Sequence, residues 1–291
     1  MAFRYEETGI SEFGKKTLNS FTGRDLDMNF NLKEQILSKY GSVEILKEKA
    51  KLSEDWQTQV DLASIYKDGV PELNIEKDSD TAIHWYETAI KNGDWECRFM
   101  NLNTLATIHF RKETVPHQRR AFELFLQAAR LDDTLAQLNL AESYRCGTEG
   151  VVQRDIEEAF KWYRRAAGEE PHNDEQEDSP FLRLTGLLTG MLRQMHVGSK
   201  FKALKMLYQN YLDGDCPEGE PQPVKALYYL KKAAELGDPE AQKDLGLAYL
   251  TGESGHPKDL DKAKRWLGKA AKNGEQEAKQ SKIYKVPTGY F

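Results

Sequence analysis

The chain contains no G-x-x-x-x-G-K-[ST] loop, no G-x-G-x-x-G, no H-E-x-x-H and no G-x-S-x-G. The short signatures of phosphate cradling, dinucleotide binding, zinc proteolysis and serine hydrolysis are therefore missing. Cysteine is scarce: Cys97, Cys146 and Cys216 stand far apart without C-x-x-C spacing. That excludes a zinc ribbon and a disulfide framework and leaves buried or idle thiols as the expectation. The six histidines (84, 109, 117, 172, 196 and 256) show no metal spacing, so no metal and no cofactor is expected. Apolar runs are short as well. None reaches the 18 residues a membrane helix requires, and MAFRYEETGISEF places Glu6, Glu7 and Glu12 where a secretion signal has its apolar core. A cytoplasmic protein without a membrane partner is expected. Positive charge is deficient in one part only: residues 1–199 carry 25 Lys/Arg against 34 Asp/Glu, whereas residues 200–291 carry 16 against 13. An acidic body is a poor fit for nucleic acid, which is bound through phosphate neutralisation, and a better one for a basic partner.

What the sequence has in abundance is repetition. A phrase with leucine, a small residue and a later aromatic occurs at Leu62-Ala63-Tyr66, Leu105-Ala106-His109, Leu140-Ala141-Tyr144, Leu207-Tyr208-Tyr211 and Leu245-Gly246-Tyr249. A second phrase follows each: TAIHWYETAI, RAFELFLQAA, EAFKWYRRAA, KALYYLKKAA and KAKRWLGKAA. The leucine-to-leucine steps of 43, 35, 67 and 38 residues give a period near that of a helical-hairpin repeat, with one large insertion. No segment sustains period-two alternation, so the fold class is all-α. In the last repeat Asp238-Pro239 starts helix A over 239–251, Gly252 suits its C-terminus, and Asp259 opens helix B, which ends at Asn273-Gly274. Small Ala and Gly positions allow the two helices to approach closely, with an aromatic filling the remaining gap. Trp162 is expected to be such a core aromatic. His109 stands where other repeats have Tyr and is read as a packing residue rather than a ligand.

The pattern A-x-x-x-L-G-x-x-Y-x-x-G followed by K-A-x-x-W-x-x-K-A-A-x-x-G, fullest over 241–274, resembles the Sel-one-like repeat, a relative of the tetratricopeptide repeat. The resemblance covers about residues 56–280. It implies a right-handed α-solenoid of five antiparallel helix pairs that serves as a platform for protein partners rather than one reaction. The second repeat departs from the pattern, with Leu124-Phe125 in helix B and no glycine after the aromatic. Around the repeats, residues 1–55 form a tail and a helical cap built from NLKEQILSKYG and SVEILKEKAKL, broken at Gly41. Repeats one to three occupy 56–168 and repeats four and five 199–280. Between them, 169–198 comprises the acidic, solvated loop EEPHNDEQED and an inserted amphipathic helix in SPFLRLTGLLTGMLRQM. Residues 281–291 are read as a frayed tail.

Helix A positions two and five residues either side of the repeat leucine lie opposite the buried Leu and Tyr at 100° per residue. The resemblance implies that this side lines a concave groove. The residues it singles out are Val60; Met100, Asn103 and Phe110; Leu135, Leu138, Glu142 and Arg145; Lys202, Lys205, Gln209 and Leu212; and Lys243, Leu247 and Leu250. The full set of 20 also holds Gln57, Ser64, Lys67, Thr107 and Glu240, and eight of its members are apolar. A peptide or helix from another protein is the expected occupant, unless tight curvature buries these side chains between neighbouring A helices. The functional expectation is a non-catalytic interaction scaffold, in its sharper form a bacterial adaptor or toxin-neutralising immunity protein facing a basic toxin or effector. The alternative is a hydrolase using groove carboxylates.

Overall fold

The computed structural model describes residues 32–52, 55–169, 190–252 and 258–274, apart from the side chains of 190–196. The chain has an all-α fold of the solenoid class, with twelve helices and no strand among the described residues beyond two isolated bridges. These residues fall into two compact units, one ending at Asp155 and the other beginning at Ile156. In the first unit α1 (Leu32–Tyr40) and α2 (Val43–Leu52) precede the hairpins α3 (Trp56–Asp68)/α4 (Ser79–Asn92) and α5 (Trp95–Phe110)/α6 (Val115–Arg130), and α7 (Thr134–Cys146) follows. In the second, α8 (Ile156–Ala166) precedes the hairpins α9 (Gly190–Asp213)/α10 (Pro223–Leu236) and α11 (Pro239–Thr251)/α12 (Leu260–Lys272).

Aspartate starts most of the repeat helices. Asp55, Asp94, Asp133 and Asp238 accept from first-turn N–H groups of α3, α5, α7 and α11, and Asp78 and Asp259 do the same for α4 and α12. Each satisfies donors that a helix start otherwise leaves orphaned, for about 1 kcal/mol. Gly147 ends α7 at φ 67°, and a Cβ there would lie 2.9 Å from the Arg154 nitrogen, so only glycine fits the turn. Gly246 serves packing instead: a Cβ would come within 2.8 Å of Leu267 Cγ, which is how α11 and α12 pack so closely. Ile36, Tyr40, Val43, Leu46 and Ala50 of α1 and α2 form one buried cluster with Leu62, Ile65, Val70 and Ile75. Gly41, at φ 79°, makes the break between the two cap helices.

Three expectations are corrected. The Trp of each helix B aromatic pair is not the deeply buried member. Trp162 is half-buried beneath the Arg165 guanidinium, whereas Phe160 and Tyr163 are fully buried. Trp85 next to Tyr86 and Trp266 next to Leu267 repeat this arrangement. Adjacent residues point 100° apart on a helix, so only one can face the partner helix, and the larger ring takes the boundary. Glu169, read as the start of a solvated loop, is 14% exposed and held by Lys232 Nζ at 2.5 Å and Tyr229 Oη at 3.1 Å. Its partners lie about sixty residues away, beyond the reach of local composition. Finally, α9 runs without a break from Gly190 to Asp213, through the 198/199 boundary expected from sequence. A lone interior glycine costs about 1 kcal/mol, too little to end a helix with good flanks. The remainder of the acidic loop and inserted helix, residues 1–31, the end of the last repeat from 275 and the tail 281–291 lie outside the described residues.

Candidate interaction surface

A polar stitch sets the register of the A helices. Gln242, in the first turns of α11, donates Nε2 to the Ala234 carbonyl at the end of α10 (3.0 Å) and accepts on Oε1 from Asn273 Nδ2 (2.9 Å). Gln137 of α7 likewise donates to Ala129 of α6 at 3.2 Å, and Gln59 of α3 accepts from Asn92 of α4 at 3.3 Å. In α5 a thiol takes the place of the amide: Cys97 Sγ meets the Ala89 carbonyl of α4 at 3.2 Å. Gln242 thus grips the last turn of the preceding repeat and the end of its own. Sequence reading missed this set, although the signal was present as Asp followed four residues later by Gln at Asp55/Gln59, Asp133/Gln137 and Asp238/Gln242.

With the stitched side committed to packing, the opposite side of each A helix is what remains. In the first unit Met100 is 46% exposed, and Val60, Asn103, Phe110 and Leu135 are half-buried. Asn103 Oδ1 accepts from Asn139 Nδ2 of α7 at 3.2 Å. Ser64 turns toward helix B and meets the Tyr86 hydroxyl at 3.0 Å. On α7 the expectation fails for two residues. Leu138 and Glu142 are fully buried, so neither offers surface to a partner, and Glu142 is committed to Arg145 Nη2 at 2.8 Å. Their positions follow the helical period of the others, but here the period meets protein instead of solvent, the outcome foreseen for tight curvature. In the second unit Leu247 is 41% exposed, Leu212 and Leu250 are half-buried, and Gln209 is exposed and bonded to Asp213 at 2.8 Å. Lys205 of α9 pairs with Glu240 of α11, holding that carboxyl below its usual range, and Lys243 lies 3.8 Å from Asp244. Lys202 is half-buried.

Among the described residues no group of three or more His, Cys, Asp or Glu is placed to hold a metal. Burial pushes the Cys97 thiol up to about 11 and raises that of Cys216, the reverse of what a nucleophile requires. No described helix is long and apolar enough to cross a membrane.

Comparison with known proteins agrees with this architecture. The family model described as Sel1 repeat matches residues 56–94, 114–133, 134–169, 209–238 and 239–275. Only the helix B part of the second repeat is matched, where the sequence departs from the pattern. An exopolysaccharide production negative regulator of Rhizobium leguminosarum bv. viciae is 30% identical over 163 residues, 55% of this chain and 53% of that protein. The chitin synthase regulator SKT5 of Saccharomyces cerevisiae is 29% identical over 164 residues, 56% of this chain and 19% of that protein. This chain therefore spans about half the first relative and a fifth of the second. The crystal structure of a Sel1 repeat protein from Oxalobacter formigenes is similar with a TM-score of 0.51 at 22% identity, covering 87% of this chain and 82% of that one, a likeness of fold.

Proposed function

The chain belongs to the Sel1 repeat family, and from that premise we propose that it is a non-catalytic scaffold that binds a partner protein on the exposed faces of its A helices. The observation that carries the reading is the pair of large apolar side chains left at 46% and 41% exposure on α5 and α11, Met100 and Leu247, each on a helix fastened to the preceding one by the buried Cys97 or Gln242. Rigid helices presenting isolated apolar residues amid polar ones suit an interface whose energy is concentrated in a few anchors. Val60, Phe110 and Leu135 in the first unit, and Leu212 and Leu250 in the second, are half-buried on A helices of their own unit. Both curated relatives are named as regulators, which agrees with a protein that acts by binding. The finer reading, a bacterial adaptor or immunity protein that occludes a basic partner, rests on the acidic balance of residues 1–199. The hydrolase alternative gains nothing from the two groove carboxylates, since Glu142 and Glu240 are tied to Arg145 and Lys205.

The test uses the purified full chain as bait and follows one partner that it recovers stoichiometrically. Met100→Asp or Leu247→Asp should weaken that capture at least tenfold, while Val224→Asp, a 76% exposed site on helix B, should leave it unchanged. Substrate turnover by the pure chain, abolished by one carboxylate substitution, would overturn the reading.

A further inference from the structure

The second hairpin is closed differently from its neighbours. In four repeats the carbonyl of the repeat tyrosine accepts a main-chain hydrogen bond from a residue further along the chain: Tyr66 from Asp78, Tyr144 from Asp155, Tyr211 from Gln222 and Tyr249 from Asp259, all at 2.7–2.8 Å. In the second, the His109 carbonyl accepts instead from Lys112, within the turn itself, at 3.1 Å. No glycine follows, Glu113 takes the left-handed conformation at φ 54°, and Thr114 makes no side-chain cap bond to α6. Beside the buried packing of α5 on α6, which includes Leu105, Ala106, Ala121 and Phe125, a pair of side chains bridges the two helices near this turn: His109 Nδ1 lies 2.8 Å from His117 Nδ1.

Two imidazole nitrogens at that distance share one proton. His109 is 6% exposed, and its Nε2 is buried without a hydrogen-bond partner. A bare lone pair at Nε2 costs less to bury than an orphaned N–H, so His109 donates from Nδ1 and the half-buried His117 accepts. The charged groups acting on His109 are Asp80 at the start of α4, Lys112 in the turn, and Arg120 with His117 on α6. Asp80 alone favours a cationic ring, and Lys112 already holds that carboxylate at 2.5 Å.

We propose that His109 and His117 form an acid-sensitive latch that closes the second hairpin when the pair is neutral and releases it when both rings are protonated. Two protonated rings would direct N–H groups at each other across 2.8 Å, in a site that already faces two cations, so His117 must swing outward. Burial and the neighbouring positive charges hold His109 down to about 4, so the closed hairpin resists the proton that opening allows it to accept. Phe110, a candidate contact residue, adjoins the latch, yet the device needs no partner in order to operate.

Hydrogen exchange of the full chain at pH 7 and pH 5, corrected for the intrinsic rate, tests it. Amides of 105–120 should gain opening by about tenfold per pH unit for each proton taken up, while 62–80, 245–252 and 258–262, flanking the tyrosine clasp, should change far less. His117→Gln should abolish the excess, as should His109→Tyr, which installs the residue of the other repeats. Should His109→Tyr fail to fold, His117→Gln still decides. Uniform exchange across the hairpins, or imidazole nitrogen spectra in which His109 titrates at the ordinary histidine value, would overturn the latch.

Discussion

At the scale of single residues, the most informative groups are buried and polar. Gln242 is 4% exposed and uses both ends of its amide. Replacing it with Met keeps the volume but removes the grip on Ala234 and Asn273. The net worth of such bonds is about 1 kcal/mol each, and more where a buried partner is stranded. Gln242→Met should therefore lose roughly 1–3 kcal/mol in urea denaturation, and a double-mutant cycle with Asn273→Ala should return a coupling of about 1 kcal/mol. A cycle with no coupling would mean that the pair is an incidental contact. The cysteines make an independent test. With Cys97 and Cys216 buried and their thiols held up, at most Cys146 should react with a thiol reagent at neutral pH before unfolding. Rapid reaction of two thiols in the folded protein would contradict the burial.

At the scale of elements, helix packing and helix propensity pull in opposite directions at Gly246. Ala is favoured over Gly in a helix interior by about 1 kcal/mol, but its Cβ would stand 2.8 Å from Leu267 Cγ and 3.1 Å from the Leu267 nitrogen. Overpacking costs roughly 1–3 kcal/mol, and a backbone atom cannot step aside as a side chain can. Gly246→Ala should therefore lower the melting temperature, whereas Gly268→Ala, where a Cβ meets nothing within 4 Å, should raise it or leave it unchanged. The legibility of the fold has the same origin. Asp238, Gly252, Asp259 and Gly246 each announce a local requirement, so α11 and α12 were readable from sequence nearly to the residue. The boundary of α9 and the anchoring of Glu169 depend on partners distant in sequence, and no local pattern carried them. The candidate surface was half legible: periodicity selects the correct side of a helix, yet Leu138 and Glu142 show that it does not reveal whether solvent or protein lies beyond it.

At the scale of the whole molecule, these local requirements meet in the dependence of stability on pH. His109 is held down to about 4 from an ordinary value near 6.5, so between those limits the unfolded chain binds the proton and stability falls as pH falls. Asp133, which caps α7, has the opposite sign. Burial pushes its carboxyl up to about 6 despite bonds from the Ala136 and Leu135 N–H groups, so the folded chain takes up the proton and stability rises as pH falls from 6 toward 3.8. The carboxylates of Asp55 and Asp78 are held low by the hydroxyls of Thr58 and Thr81, together with their main-chain capping bonds, and their contributions are lost only below the ordinary aspartate range. From pH 6 to 4, then, two slopes of about one proton each should nearly cancel, leaving a flat profile. Asp133→Asn keeps a competent cap while removing the titration. Its stability should decline by as much as about 1.4 kcal/mol per pH unit across that window, the slope of a single proton. In His109→Tyr the slope should reverse, with stability rising toward acid. Denaturation midpoints of the three proteins at pH 7, 6, 5 and 4 measure both signs. Parallel profiles for wild type and Asp133→Asn would show that the carboxyl ionises normally and that its burial contributes no titration to the fold.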